Sequence, residues 1–421
     1  MFSNYSSDAK ANLVSRLVFP LLSVFLAVDS LNGFMMLGLG LDASLSAIYK
    51  SFLLSILMIY LCLFLPRKMI VILVAFCALS LGEIVSVFSL DTNGGKLSFL
   101  FQHILKVLSP LILFYFLIDR LKRDTDFFAR ILAVIKINGF IFLSNMLAGY
   151  FGLGFSTYGQ GGENSVGSKG YFYAGNEISA LLVVFCAFFV ASAYIRNRLN
   201  YALMSILYIS IGFLVSTKTA ILASVLLVFL IPALYEGRRI ILLNNMTSII
   251  FSLSIMIIFI QAVVIYEAFK NTPIYSRLFF IFENNGVVGL LFSARDMFIG
   301  ELWSLFVGKS YVFGIFLGHG ISYYADFTKY SVEMDMLDMF FWHGLTGVAT
   351  LMIVFVYLTH WSWAHFANDR YPFARIVLVT NLMLLAISNL SGHIFTSGML
   401  AFIWPCFAIL SYYDPSRLAK K

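Results

Sequence analysis

Long apolar runs separated by short polar connections repeat along almost the whole chain. A run of about 20 apolar residues is long enough to cross the hydrocarbon core of a bilayer as a helix. The pair 199–215 and 218–235 is connected only by polar residues around Thr217, which predicts a tight helical hairpin. In total the pattern predicts an all-α membrane bundle of twelve spans, at residues 16–38, 46–65, 69–90, 97–118, 128–150, 172–194, 199–215, 218–235, 247–267, 337–361, 374–391 and 395–413.

Positively charged residues lie mainly in every second connection. The intervening short connections contain only Lys96, Lys169 and Lys218. Because cytoplasmic loops of membrane proteins collect Lys and Arg, both termini are predicted to be cytoplasmic and the number of spans to be even. The cations that set this orientation are Lys10, Arg16, Arg67, Lys68, Arg120, Lys122, Arg123, Arg130, Arg196, Arg198, Arg238, Arg239, Arg370, Arg375, Arg417, Lys420 and Lys421.

One connection, 268–336, is much longer than the others and is predicted to lie on the outer side. Structureless connections of this length are uncommon unless they are functional. Within it, Leu302–Leu317 is apolar enough to resemble another span. A crossing there would move Arg370 and Arg375 to the outer side, so this stretch is predicted to lie at the interface or to re-enter it. The chain is predicted to form one integral membrane domain, 1–421.

Composition supports the membrane interpretation and excludes several classes of protein. Of the residues, 61% are hydrophobic and 12% are charged, against about 25% charged in soluble domains. This excludes a soluble enzyme, a nucleic-acid binder and a secreted disulfide scaffold. The net charge of +7 reflects topology, and the four cysteines lie in apolar runs as reduced thiols. Without a nucleotide-binding motif or a metal-ligand spacing, the sequence predicts no metal and no cofactor.

Polar side chains of two kinds mark the outer side of the predicted bundle. A glycine-rich loop, 151–170, precedes Tyr173, Asn176 and Glu177. An aromatic ring beside hydrogen-bonding side chains suits the binding of a sugar. That the loop is only a flexible linker is an equal interpretation. Asp335 and Asp338 fall on one face of the helix that follows the long loop. His393 lies at an outer turn, where a structural role is equally compatible with the sequence.

Three cations on the outer side are candidates for binding an anion. Lys218 lies between two short spans, and Arg277 and Arg295 lie in the long loop. Guanidinium groups bind phosphate oxygens bidentately, so the two arginines suit a lipid-linked diphosphate. The alternative is that they are ordinary solvated charges.

Five segments between residues 150 and 393 together resemble the Wzy-type O-antigen and exopolysaccharide polymerases and their relatives, the O-antigen ligases. Two departures are visible: the loop 151–170 contains no arginine, and acidic residues replace the His-Asn pair typical of ligases. The second departure favours a polymerase. The segments are Lys169–Glu177 (KGYFYAGNE), Ser216–Ala220 (STKTA), Ser293–Asp296 (SARD), Phe313–Gly320 (FGIFLGHG) and Glu333–Asp338 (EMDMLD), the last followed by Gly344 and Gly347.

The resemblance implies a GT-C-like, metal-independent glycosyltransferase of the bacterial inner membrane. It would polymerise oligosaccharide repeat units carried on undecaprenyl diphosphate at the periplasmic face, within membrane lipids and with a chain-length regulator as a possible partner. On this reading Arg277, Arg295 and Lys218 bind the diphosphate, and Arg295 assists catalysis. Asp338, Asp335 and His393 are the candidates for the general base, in that order. Asn176, Glu177 and Tyr173 would orient sugar.

Two alternatives stay open from the sequence. An O-antigen ligase would use the same donor with a lipid A core acceptor. A secondary transporter or lipid flippase would suit twelve spans with Asp29, Glu83 and Lys106 inside them. Against the transporter stand the long one-sided loop and the lack of similarity between the two halves.

Overall fold

The computed structural model describes most of the chain and shows a helical bundle. Among the described residues, helices are the only regular elements apart from two isolated β-bridges, Phe155–Gly170 and Tyr158–Val166. The described residues are 2–41, 44–89, 97–158, 166–236, 295–308, 313–324 and 330–415, with isolated positions between 256 and 292.

Fourteen α-helices are described, with a π-helical turn, Phe34–Gly38, after α1 and a 3₁₀ turn, Ile409–Tyr412, after α14. Their bounds are α1 Phe2–Gly33, α2 Leu45–Phe64, α3 Pro66–Ser89, α4 Leu97–Arg123, α5 Phe127–Tyr150, α6 Gly175–Arg196, α7 Arg198–Val215, α8 Lys218–Glu236, α9 Arg295–Gly308, α10 Gly314–Leu317, α11 Ile321–Tyr324, α12 Asp335–Ala364, α13 Ala374–Leu390 and α14 Leu400–Ala408.

The prediction of a polytopic helical membrane protein is confirmed. Within the described part of the chain, nine helices are long and apolar enough to cross a membrane, and α13 and the segment Leu400–Tyr412 are shorter apolar helices. These eleven match eleven of the predicted spans. The twelfth, 247–267, lies outside the described residues, as does most of 268–294. The total of twelve spans, the orientation of the termini and the long outer loop therefore stay predictions.

The centre of the bundle is formed by α4, α6 and α14. Helix α6 packs against α7, α8, α13 and α14, and α4 packs against α2, α3, α12 and α14. A helix that is apolar on every side is either surrounded by other helices or exposed to lipid, and α4 and α6 are the two long apolar helices with the largest buried shares, 72% and 83%. The hairpin predicted at Thr217 is present, because α7 ends at Val215 and α8 begins at Lys218. Thr217 Oγ1 accepts the N–H of Ala220 and so caps α8.

The apolar stretch Leu302–Leu317 does not form one continuous helix. Helix α9 is described as far as Gly308, Phe313 lies in a turn, and α10 begins at Gly314. From there the chain contacts α3 and α12, with the N–H groups of His319 and Gly320 donating to the carbonyls of Phe341 and Trp342. These carbonyls are available because α12 is interrupted at Gly344, where φ is 61°.

Two features of α3 fit it to this inserted chain. A Cβ on Gly82 would lie 1.9 Å from the carbonyl oxygen of Leu317, so glycine permits the close approach. Next to it, Glu83 Oε2 accepts the N–H groups of Ile321 and Ser322, at the start of α11. Irregular backbone at membrane depth is stable when protein covers it and satisfies its polar groups. Residues 318–324 are buried throughout and meet that condition, whereas Ile315 and Phe316 are exposed.

Candidate functional site

Asp335, the first residue of α12, binds the turn that follows α13. Its Oδ1 accepts the N–H of His393 at 2.8 Å and the hydroxyl of Thr396 at 3.4 Å. Its Oδ2 accepts the N–H groups of Ile394 at 2.8 Å and Phe395 at 3.0 Å. A carboxylate has about four acceptor sites, so Asp335 is fully used in positioning this turn. Among the predicted bases it is the least available to take a further proton.

Asp338, one turn further along α12, binds the chain that leads into the same helix. Its Oδ1 accepts the N–H of Val332 at 2.6 Å, and its Oδ2 accepts the N–H of Met334 at 3.2 Å. Two bonds leave half of the acceptor capacity of this carboxylate unused by the contacts described. Asp338 is therefore better suited than Asp335 to act as a base.

Arg295, the first residue of α9, connects that helix to the end of α13. Its Nη1 donates to the carbonyl of Leu390 at 3.0 Å. Its Nη2 donates to the carbonyl of Ser391 at 3.3 Å and to Glu333 Oε2 at 3.1 Å. The side chain is only 12% exposed. Its Nε is buried and has no hydrogen-bond partner among the described residues. Nη1 makes one described bond, so this nitrogen keeps a second N–H that can donate to a ligand.

Arg295 and Lys218 line the same cavity, here called the cationic cavity. It has a volume of about 340 Å³ and lies between α8 and α13. One end is polar, and the remaining wall is apolar. The polar lining consists of Tyr158, Ser179, Thr217, Lys218, Thr219, Arg295 and Ser391, and the apolar lining includes Leu222, Ala223, Leu226, Met383, Ala386, Ile387 and Leu390.

Tyr158 brings the loop after α5 into the cationic cavity. Its backbone pairs with that of Val166, which fixes its position at the cavity wall. Burial raises the pKa of the Tyr158 phenol, and the neighbouring Arg295 guanidinium opposes that shift. The phenol is therefore protonated at neutral pH and is a hydrogen-bond donor beside the two cations.

A second cavity, here called the histidine cavity, has a volume of about 180 Å³. It is lined by both carboxylates of α12 and by aromatic rings. Its one cation, Lys106, comes from α4, and its two imidazoles, His103 and His393, come from α4 and from the turn after α13. Its lining consists of Phe99, Gln102, His103, Lys106, Glu177, Tyr330, Ser331, Asp335, Asp338, Met339, Trp342, His393 and Thr396.

The turn after α13 separates the two cavities. Ser391 and Gly392 line the cationic cavity, whereas His393 and Thr396 line the histidine cavity. Three non-glycine residues have a positive φ within the described ranges: Ser216, Glu333 and His393. Each lies in or beside a wall of these cavities, and backbone strain of this kind clusters at functional sites.

The predicted sugar-binding residues lie in different surroundings. Glu177 Oε2 accepts the hydroxyl of Ser397 at 2.6 Å and the N–H of Met399 at 2.8 Å, so this side chain also fixes the chain after α13. Tyr173 is 53% exposed, and its carbonyl accepts Lys169 Nζ. Asn176 belongs to α6, but its side chain lies outside the described residues, as does Arg277. The structure thus brings together Asp335, Asp338, His393 and Glu177 in one cavity and Arg295 and Lys218 in the other.

His103 on α4 is a candidate that the sequence analysis did not select. It lines the histidine cavity and is 6% exposed. Its ring stacks on His343 at 5.6 Å and meets Trp342 edge-on at 4.9 Å. Its Nε2 has no hydrogen-bond partner in the described part of the chain. The available signal was a histidine within an otherwise apolar span, at a position comparable to those of Glu83 and Lys106.

Comparisons with known proteins identify no family for this chain. No family model matches the chain, no curated protein matches it, and no solved structure matches it. Within the described residues, no group of three or more His, Cys, Asp or Glu side chains is arranged to hold a metal ion. The two cavities are therefore the features of the molecule that indicate its function.

Proposed function

We propose that this protein is a GT-C-like membrane glycosyltransferase that polymerises oligosaccharide repeat units linked to undecaprenyl diphosphate, forming O-antigen or capsular or exopolysaccharide. The observation that carries the proposal is the cationic cavity. Lys218 and Arg295 lie at the polar end of a cavity that otherwise has an apolar wall. A lipid diphosphate has a matching arrangement, because its anionic diphosphate is attached to a hydrocarbon chain.

The apolar wall suits the isoprenoid part of such a donor. Leu222 and Leu226 on α8 are 67% and 47% exposed, so this wall opens towards the surrounding lipid. A prenyl chain could enter from the bilayer without passing through the bundle. At the other end, Arg295 and Lys218 supply charge at a site of low dielectric, where charge interactions are strong.

The histidine cavity suits the acceptor sugar. Phe99, Tyr330 and Trp342 offer flat apolar faces, and Gln102, His103 and Glu177 offer hydrogen-bonding groups. The turn after α13 lies between the histidine cavity and the cationic cavity. Donor and acceptor would therefore meet at His393 and Gly392.

The reaction needs a general base and an electrophilic stabiliser for the leaving group. The bond between the anomeric carbon and the diphosphate breaks, and the acceptor oxygen forms a new bond to that carbon. Its proton passes to a base, for which Asp338 and His393 are the candidates, with Asp335 as the positioning residue. Arg295 and Lys218 neutralise the departing diphosphate. The donor supplies the driving force, so the proposal includes neither a metal nor a cofactor.

The proposal extends to location and partners. The chain would lie in the bacterial inner membrane with both termini in the cytoplasm, and both cavities would open to the periplasm. The long connection 268–336 would then be periplasmic. A chain-length regulator is the proposed protein partner, and nucleic acid is not one.

The deciding experiment is incubation of the purified protein in lipid nanodiscs with a labelled repeat unit on undecaprenyl diphosphate. We expect a ladder of products that differ by one repeat unit, and we expect it to persist in EDTA. Strict dependence on a divalent ion would contradict the metal-independent mechanism. Transfer only to a lipid A core would identify a ligase. Counterflow of label across vesicles without chain growth would identify a transporter or flippase.

A further inference from the structure

A third cavity lies between α1 and α5, at the end of α5 opposite to the candidate site. Its volume is about 290 Å³. Arg130 lies in the first turn of α5, whereas Asn145, whose side chain accepts the N–H of Tyr171 near the start of α6, lies 15 residues later. At 1.5 Å per residue this separation is about 22 Å. The cavity is therefore distinct from the two described above.

Two arginines and a serine are among the residues that line this cavity. Arg130 Nη1 lies 3.0 Å from Asp124 Oδ2, and its guanidinium lies over the ring of Phe19 at 5.8 Å. Arg16 is exposed. Ser15 is fully buried, and its Oγ has no partner among the residues that the structure describes. The cavity lining includes two arginines and no acidic side chain, and Asp124 pairs with one of these arginines.

Beyond the arginines the cavity becomes apolar. Phe19, Pro20 and Ala133 form its wall. Pro20 lies one helical turn from Arg16, about 6 Å along α1, and has no backbone N–H to offer. Pro20 and Ala133 are both exposed and lie within predicted spans, so the groove opens at the outer surface of the bundle.

We propose that this cavity binds an anionic membrane phospholipid. Its phosphate lies between Arg16 and Arg130 and accepts from Ser15 Oγ, while an acyl chain follows the groove past Pro20. Guanidinium groups suit phosphate oxygens because they present parallel donors, and basic pockets between membrane helices bind anionic headgroups. Free phosphate would use the same donors, but the apolar wall favours a ligand with a hydrocarbon chain.

The experiment is native mass spectrometry of the purified full chain with added lipid, together with thermal unfolding. The probes are phosphatidylglycerol, phosphatidylcholine with the same acyl chains, and inorganic phosphate. We expect phosphatidylglycerol to be retained and to raise the melting temperature more than the other two. Equal retention of the two lipids, or equal stabilisation by inorganic phosphate, would overturn the proposal.

Variants connect the binding to this cavity. The single variant Arg16→Ala should weaken phosphatidylglycerol binding about fivefold. The double variant Arg16→Ala with Arg130→Ala should weaken it about fivefold further. Arg16→Ala keeps the test decisive if loss of the Arg130–Asp124 pair impairs folding, since the Arg16 side chain is exposed. The matched control is Arg67→Ala, an exposed arginine at the start of α3, which should bind as the unmodified chain does. Unchanged binding in Arg16→Ala, or an equal loss in Arg67→Ala, would overturn the assignment.

Discussion

The carboxylate of Asp335 accepts the backbone N–H of His393 at 2.8 Å, although the two residues are 58 positions apart. This bond fixes the start of α12 against the turn after α13, and that turn forms the wall between the cationic and histidine cavities. Asp335 therefore positions the backbone of His393, one of the two candidate bases, against the start of α12. The other candidate base, Asp338, lies on that same helix.

Replacing Asp335 by Asn should destabilise the protein more than replacing Asp338 by Asn. Asparagine offers one acceptor oxygen, so it leaves N–H groups of the 393–395 turn unsatisfied. The cost is about 3 kcal/mol, because hydrogen bonds to a charged group contribute roughly 1.5–3 kcal/mol each. Thermal unfolding in detergent or nanodiscs measures the difference.

The same two variants separate positioning from proton transfer. If Asp338 is the base, Asp338→Asn should lower kcat and change the pH profile of polymerisation, with a smaller loss of melting temperature than Asp335→Asn because it leaves fewer N–H groups unsatisfied. A normal pH profile for Asp338→Asn would favour His393 as the base. Equal stability of the two variants would contradict the assignment of Asp335 as the positioning residue.

Arg295→Ala should abolish chain growth, because it removes a cation from the cationic cavity. Arg295→Lys should retain part of the activity, since lysine keeps the charge but lacks the planar group that donates to Leu390 and Ser391. Gel analysis of glycan length, with membrane levels of the protein measured in parallel, tests both variants.

Glu333→Gln is the matched control for Arg295. It removes the partner carboxylate of the ion pair and leaves the guanidinium in place. We expect this variant to polymerise much better than Arg295→Ala. Equal loss in the two variants would indicate that the ion pair, rather than the cation, supports activity.

His103→Ala should weaken acceptor binding. His103 lines the histidine cavity, and its buried Nε2 has no hydrogen-bond partner among the described residues. A hydrogen bond from this ring to a sugar hydroxyl would contribute about 1 kcal/mol, or roughly fivefold in affinity. The readout is the KM for acceptor at saturating donor. His365→Ala, beyond the C-terminal end of α12, is the control and should leave this KM unchanged. A change in donor KM alone would argue against the role of His103.

Gly392→Ala should destabilise the wall between the cavities. Gly392 has a φ of 63°, and an added Cβ would lie 2.3 Å from the carbonyl oxygen of Glu333. Gly40→Ala is the matched control, because Gly40 has a φ of 65° with nothing within 4 Å of an added Cβ. Both substitutions carry a backbone cost of about 1 kcal/mol, and only Gly392→Ala adds the steric conflict. A melting temperature as high as that of Gly40→Ala would contradict the described contact.

Apolar runs predicted the helices well because length and polarity alone decide where a membrane helix lies. Helices α2, α5 and α7 begin and end within one residue of the predicted spans. The cations and acids of the candidate site were also predicted, since charged residues near the ends of spans are few. Their placement at the same end of the bundle follows from the alternation of spans.

The bonding partners could not be predicted. Nothing in the sequence indicates that Asp335 satisfies the backbone of residues 393–395, because that contact depends on how α12 and α13 pack. The break in Leu302–Leu317 has a similar origin: the inserted chain pairs with carbonyls that α12 exposes only at its interruption at Gly344. His103 was missed because its neighbours come from other helices.

The connection between α7 and α8 consists of only Ser216 and Thr217, so the direction of Lys218 is set by helix geometry. One residue inserted after Thr219 would rotate Lys218 by about 100° relative to the face of α8 that packs against α6 and α7. Lys218 would then leave the position from which it lines the cationic cavity. In this part of the chain, the exact number of residues matters as much as their identity.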